Sequence, residues 1–406
     1  MRNTVHKYSI CYKLIGPLIF RPMSLEKGFG TGPIVRGPVK GRGSVSNGES
    51  RYIQTRTEVV DDGWGIDPGV DPGEGGGSNA PQTELFVDRT KKLITQNKSP
   101  DIPFNQSINP YKGCEHGCIY CFARPTHAYL DLSPGLDFET KIFRKSNPRE
   151  HLLVELSRPK YECSVIAMGT NTDPYQPYER SQRVTREILE TLLEYKHPVS
   201  IVTKSKLILR DLDLLKELAA LNLINVNISV TTLRNELKTL LEPRTASPAA
   251  RLRTIAELRS AGVPTGAMIA PVIPFINDEE IEDAVKAVAE AGAITARYIL
   301  LRLPLEVAPL FTEWLETHYP DRANRVLSAI KQTRRGELYR SGWHTRMRGE
   351  GEIANLIHAR FNKALKSAGL ASQDMPKVST EHFRPPARAD IKSGGKREDD
   401  QQMSLF

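Results

Sequence analysis

Between residues 164 and 301 short apolar runs rich in β-formers alternate with longer amphipathic stretches, and few architectures accept that pattern. The β-rich runs are 164–168, 199–203, 224–230, 264–270 and 297–301, with a further short one at 107–111. Between them lie 181–195, 209–221, 248–261 and 278–291. There Leu212, Leu215 and Leu218, and again Ile281, Val285 and Val288, recur at helical spacing. Pro198 and Gly262 punctuate the junctions. Strands joined through helices pair in parallel, because a tight hairpin cannot reverse the chain twice. About six such units predict an α/β fold, a partial (β/α)6 TIM-type barrel rather than the full eight units.

One strand carries an unusual alternation. Asn225, Asn227, Ser229 and Thr231 are polar, whereas Val226, Ile228 and Val230 are apolar. Successive strand side chains face opposite sides, so the apolar set is expected against the outer helices and the polar set inside the barrel. An exposed edge strand would alternate in the same way. A structural barrel interior is filled with branched apolar side chains, so a polar one points to a polar ligand.

The flanks read differently. Residues 1–82, with GFGTGPIVRGPVKGRG and DPGVDPGEGGGSNAPQ, hold too much Gly, Pro and charge to offset chain entropy, and are expected to stay disordered. Residues 1–22 resemble a weak signal peptide, but Lys13 and Pro17 break the apolar stretch and no small-residue cleavage site follows, so translation is expected to start at Met23. Residues 83–106 lead into the barrel of 107–303. A helical, basic extension follows at 304–390, and 391–406 is a flexible tail. No run of eighteen apolar residues occurs, so no membrane span is expected.

Five cysteines occur, and Cys114, Cys118 and Cys121 fall within GCEHGCIYC as C-x3-C-x2-C. An odd, clustered count is no disulfide framework and indicates metal binding in a reducing cytoplasm. Thiolates suit iron–sulfur clusters and zinc alike. The zinc reading needs His116 or His127 as fourth ligand and would make the chain a non-catalytic nucleic-acid-binding protein. Cys163, at the start of a predicted strand, reads as a small buried hydrophobe.

With these residues in place, the region from 107 to 303 resembles the spore photoproduct lyase-like group of radical S-adenosylmethionine (SAM) proteins, often labelled DNA repair photolyases. The resemblance rests on GCEHGCIYC, on MGTNTDPYQPYE after the second strand, on TKS ending the third, and on APVIPFIND. It implies a [4Fe–4S] cluster on the three cysteines, with its fourth iron open to SAM. It further implies reductive cleavage of SAM to a 5′-deoxyadenosyl radical, an external electron donor, and lyase-like repair or modification of nucleic acid. Residue by residue, it implies that Tyr120 helps enclose SAM, Thr170 lies near its amino group and Lys204 reaches it. Ser229 would contact ribose and carboxylate, and Ala270 would lie near adenine. The chain also departs from spore photoproduct lyase, which has a cysteine hydrogen donor where Gly169 stands, so the thymine-dimer substrate is not carried over. The same chemistry on a peptide or small molecule stays open.

For the substrate, Asp173, Tyr175, Gln176 and Glu179 are candidate contacts at the barrel mouth. The stretch KQTRRGELYRSGWHTRMR adds Arg334, Arg335 and Arg340 with Tyr339 and Trp343 interleaved, a pattern that matches phosphates and bases but also a solvated basic surface. A net charge of +8 favours polyanionic partners. Finally, Gln402, Met403, Ser404, Leu405 and Phe406 resemble the short peptide by which bacterial repair proteins and polymerases bind the replication sliding clamp.

Overall fold

The structure is a computed structural model that describes residues 39–48, 50–52, 82–370, 374–387 and 389–390. Met23, the remainder of the N-terminal extension and the clamp-like residues 402–406 lie outside the described residues.

Ten strands occur among the described residues: β1 (Glu84–Asp88), β2 (Ile94–Gln96), β3 (Gln106–Ile108), β4 (Tyr111–Lys112), β5 (Lys141–Lys145), β6 (Ile166–Met168), β7 (Val199–Thr203), β8 (Ile224–Ser229), β9 (Thr265–Val272) and β10 (Ala296–Leu300). The main sheet has the order β10-β9-β8-β7-β6-β3-β2. Six of its strands are parallel, and only β2 pairs antiparallel, capping the β3 edge. This is the mixed α/β, parallel-sheet arrangement expected of a six-unit partial barrel. A second small sheet, β1-β5-β4, carries the chain into the cysteine motif.

The outer helices bury one stripe each, as their spacing requires. Leu215 and Leu218 from Leu212–Ala220, and Val285 and Val288 from Ile281–Glu290, join Val226, Ile228 and Val230 in one continuous core. Helix Pro248–Ser260 starts where the Ser247 hydroxyl accepts the Ala250 amide at 3.3 Å. It stops before Gly262, whose φ of +80° suits glycine. The expected helix at 181–195 is split: Glu179–Gln182 ends at Arg183, whose φ is +54°, and Val184–Glu194 resumes beyond it. Inside the sheet, Asn225 and Asn227 are only half-buried, and the Ser200 hydroxyl donates to Asn225 Oδ1 at 2.6 Å. β8 lies between β7 and β9, so the edge-strand reading fails and the polar face lines the interior.

Two further segments close the barrel. Helices Val307–His318 and Pro320–Gln332 pack Trp314, Leu315 and Val326 against Ile119, Leu237 and Ile273 beside the cysteine motif. At the opposite end of the strands, Met375 lies against Gly266, and the Ser379 amide donates to Asn222 O at 2.8 Å. Phe383 packs there against Tyr161 and His197, with ring centroids 5.7 and 5.1 Å away.

The expectation of disorder for 1–82 fails at residues 39–48 and 50–52. Gly43 and Ser44 give their backbone amides to Glu139 beside the cysteine loop, whereas Arg51 pairs with Glu306 at 2.6 Å and Tyr52 stacks on Tyr129. Hydrophobic patterning cannot register such contacts. Among the described residues no helix is long and apolar enough to cross a membrane.

Phe383→Ala should reduce unfolding free energy by about 1–3 kcal/mol, because a half-buried aromatic cluster loses its centre. Urea titration followed by fluorescence and circular dichroism measures it, and an unchanged midpoint would show that the 374–387 segment does not close the barrel end.

Candidate active site

The cysteine loop sits over the C-terminal edge of the parallel strands, where barrel active sites form. Its conformation comes from a network of short-range bonds. The Cys114 amide donates to Phe138 O at 2.8 Å, the Ile119 amide to Leu241 O at 3.1 Å, and the Cys121 amide to Cys118 O at 3.2 Å. Arg124, fully buried just after the motif, gives Nε to Cys118 O at 2.9 Å and Nη1 to Pro134 O and Gly135 O at 3.0 and 2.9 Å. Its Nη2 pairs with the buried Glu139 carboxylate at 2.5 Å. That carboxylate also accepts the Gly43 and Ser44 amides at 3.0 and 2.8 Å, while Arg42 Nη1 reaches Glu139 O at 2.8 Å. Gly43 lies so close to the loop that a Cβ there would sit 1.8 Å from Gly117 O.

The three thiols share a dry environment. Cys114 and Cys118 are buried and Cys121 is partly buried. Loss of solvent pushes all three above the usual thiol range, Cys118 to about 12 with the Glu242 charge adding to the effect. Metal coordination would displace those protons. Among the described residues no three Cys, His, Asp or Glu side chains gather tightly enough for a single metal ion. The two histidines of the zinc reading are engaged elsewhere. His116 Nδ1 faces Asp173 Oδ2 at 3.4 Å, and His127 Nε2 faces Lys141 O at 3.0 Å. Three soft sulfur donors with no competing oxygen or nitrogen ligand fit an iron–sulfur cluster.

Beside the sulfurs lies a second buried network. Glu242 pairs with Arg251 and accepts the Tyr120 hydroxyl, and its Oε1 lies 2.7 Å from Thr231 Oγ1. Arg251 also donates to Ser229 O at 3.0 Å and to Thr245 Oγ1 at 2.6 Å, and Thr231 Oγ1 is 2.9 Å from Ala270 O. Burial alone would raise the Glu242 carboxyl, but Arg251 and Lys204 hold it at about 2. The Lys204 ammonium stands 5.9 Å from the Tyr120 ring centroid. Burial would lower its pKa, yet the neighbouring Cys118 sulfur and the Glu242 carboxylate raise it, so it stays protonated. Among the described residues it has no ion-pair partner. Tyr120, Lys204, Ser229 and Ala270 are thus brought to one region next to the thiols. Thr170, half-buried on the β6 loop, is 3.4 Å from Asn109 Oδ1, next to the cysteine loop.

The candidate substrate contacts do not face the mouth. Asp173 is partly buried, accepting Thr203 Oγ1 at 2.7 Å and the Lys204 and Tyr175 amides at 2.8 and 2.9 Å. These bonds and the His116 charge outweigh burial and hold its carboxyl at about 2. Gln176 clamps the loop from below, accepting the Glu115 amide at 2.9 Å, and Glu179 is buried against Arg210 at 2.7 Å. Tyr175 is fully buried. In DPYQPYE, polarity serves internal wiring that a sequence pattern cannot tell from a binding rim. Arg334 is likewise buried, donating to Leu301 O and Thr345 O at 2.9 Å each, and Arg335 pairs with Glu350 at 2.5 Å. Arg335, though paired, and Arg340 stay exposed as expected.

Several site residues were missed by sequence reasoning. Glu139, Arg124, Glu242, Arg251 and Gly43 are single charges or glycines whose partners are distant in the chain. Arg124, three residues past the last cysteine, carried the one local signal.

The match to known proteins follows the same region. A family model described as the Radical SAM superfamily matches residues 108–288. An uncharacterized protein of Mycobacterium tuberculosis is 38% identical over 251 residues, covering 61% of this chain and 71% of that protein. An uncharacterized protein of Methanocaldococcus jannaschii is 29% identical over 238 residues, 59% of this chain and 85% of its own. The chain belongs to the radical SAM superfamily of enzymes. Among solved structures, spore photoproduct lyase complexed with dinucleoside spore photoproduct matches with a TM-score of 0.50 at 16% identity, over 71% of this chain and 80% of that one. This likeness shows the shared fold.

Gly169 has a φ of +85°, and a Cβ there would sit 2.0 Å from Val202 O. Backbone geometry therefore demands glycine at this position. Cys163 lies before β6, at the strand end remote from the cysteine loop, so it does not stand in. Gly169→Ala should cost on the order of 1–3 kcal/mol of stability, read by thermal unfolding; a neutral result would show that the turn tolerates a side chain. Gly43→Val should lower iron and sulfide retained per chain after anaerobic reconstitution, and full retention would free residues 39–48 from any role in holding the loop.

Proposed function

We propose that Cys114, Cys118 and Cys121 hold a [4Fe–4S] cluster and that SAM binds beside it, supporting radical cleavage or modification of nucleic acid. When bound, the pair supplies a 5′-deoxyadenosyl radical by one-electron reduction of SAM. The observation that carries the reading is a protonated Lys204, without an ion-pair partner among the described residues, beside three desolvated thiols.

The chain's own residues supply position and exclusion of water. Lys204 is suited to the SAM carboxylate by charge-assisted hydrogen bonding. Tyr120 covers one side of the space, its hydroxyl fixed by Glu242, so the ring cannot swing away. Ser229, Thr231 and the Ala270 carbonyl line the strand ends with neutral polar groups that match a ribose and an adenine edge. Glu242 balances Arg251, leaving Lys204 as the local cation for an incoming anion.

Support for a nucleic-acid substrate comes from the net charge of +8 and from the matched spore photoproduct lyase, solved with a dinucleoside spore photoproduct. Because Gly169 stands where that enzyme carries its hydrogen donor, the radical must be quenched by another route here. The outcome need not be dimer splitting.

Anaerobically reconstituted protein with SAM and dithionite should release 5′-deoxyadenosine, and Cys118→Ala should abolish both cluster absorbance and product. Release of 5′-deoxyadenosine by the Cys118→Ala protein at the wild-type level would remove the ligand assignment. Lys204→Ala should weaken SAM binding by about 1.5–3 kcal/mol, the worth of a hydrogen bond to a charged group. Calorimetry reads this directly, and an unchanged Kd would leave Lys204 without a ligand.

A further inference from the structure

Arg302 follows β10 at the same strand edge as the cysteine loop. Its guanidinium lies 5.0 Å from the centroid of Phe122, the residue after Cys121, and 6.0 Å from that of Tyr339. Its only hydrogen-bond contacts among the described residues are long ones, to Met347 Sδ at 3.6 Å and Tyr339 Oη at 3.4 Å. Among the described residues no carboxylate lies within ion-pair distance of it. Arg334 stands close enough for its pKa to be lowered to about 10, chiefly by burial and then by the Arg302 charge. The Nε–H groups of both arginines are buried without a hydrogen-bond partner.

Two neighbouring cations with orphaned Nε–H donors and no ion-pair partner among the described residues are costly in a partly desolvated place. The arrangement is relieved by an anion that brings several acceptor oxygens. The Phe122 ring is 43% exposed although it abuts a buried sulfur loop, and Trp343, in the segment that carries Tyr339, is 61% exposed. A charged group flanked by open aromatic faces matches a ligand in which an anion and a flat ring are covalently linked.

We propose that Arg302 and Phe122 form a nucleotide-holding site, Arg302 taking a phosphodiester and Phe122 stacking on the adjoining base of a single-stranded or extruded nucleotide. The site gives the basic, aromatic character expected of residues 331–348 a different seat. Arg334 contributes charge from beneath, and the direct contact falls to a residue at the end of β10. Its adjacency to Cys121 would put the held nucleotide beside the radical source. In that respect the inference rests on the radical SAM reading, while binding itself can be measured without it.

The test uses the full-length reconstituted protein and a fluorescein-labelled single-stranded deoxyoligonucleotide of about a dozen nucleotides, with anisotropy read over a salt series. Arg302→Gln should weaken binding about tenfold and reduce the slope of log K against log salt by about one. Arg302→Lys should keep the slope. Phe122→Leu should weaken binding about tenfold with the slope unchanged, since stacking carries no counterions. The exposed Phe122 keeps the test decisive if Arg302→Gln does not fold. Wild-type affinity and slope in Arg302→Gln, or wild-type affinity in Phe122→Leu, would overturn the site. So would equal competition by a polyglutamate peptide of the same charge, which would mark the ligand as an acidic peptide, or failure of the wild-type protein to bind the oligonucleotide at all. Failure of the radical reading shows separately, as wild-type protein that binds the oligonucleotide yet releases no 5′-deoxyadenosine with SAM and dithionite.

Discussion

The buried ion pair between Arg124 and Glu139 is the contact on which the site depends. Arg124 holds the carbonyl of Cys118 and the turn at 134–135, and Glu139 holds both Arg124 and the amides of Gly43 and Ser44. One salt bridge thus joins the cysteine loop, the helix Leu136–Thr140 and a segment nearly a hundred residues upstream. A buried pair with its remaining donors and acceptors satisfied adds little net stability compared with apolar packing, but removing one partner strands the other charge. Its contribution is geometric. It fixes where three sulfurs point before any metal arrives.

A second pair, Glu242 with Arg251, does for the ligand space what the first does for the loop. Its carboxylate orients Tyr120 and Thr231, and its charge keeps Lys204 protonated despite burial. Around the thiols, then, the paired charges build walls, whereas Lys204 and Arg302 have no ion-pair partner among the described residues. The same distinction sets the remaining candidate contacts apart. Asp173, Gln176, Glu179 and Arg334 are polar and near the mouth, yet all are buried or partly buried and bonded to backbone or to a counter-charge.

The fold was largely legible because its signals are local. Period-two and helical spacing marked the parallel strands and their helices within a few residues, and the polar positions of β8 announced a lined interior. Tyr111–Lys112 and Lys141–Lys145 escaped notice because a two-residue bridge and a polar strand have no hydrophobic pattern. Residues 39–48 escaped for a related reason. Glycine and serine dock there through backbone amides and Arg42 through its guanidinium, and composition registers only their poverty in apolar side chains.

By itself, then, the sequence determined the parallel α/β core and marked the three-cysteine motif, since strand periodicity and cysteine spacing are set by neighbours along the chain. Tertiary structure decided which charges are spent inside and which remain for a ligand. Ion pairs such as Glu139 with Arg124 and Glu242 with Arg251, and the solitude of Lys204 and Arg302, depend on distances between loops that only the closed fold sets. A lone arginine and a paired one are spelled alike.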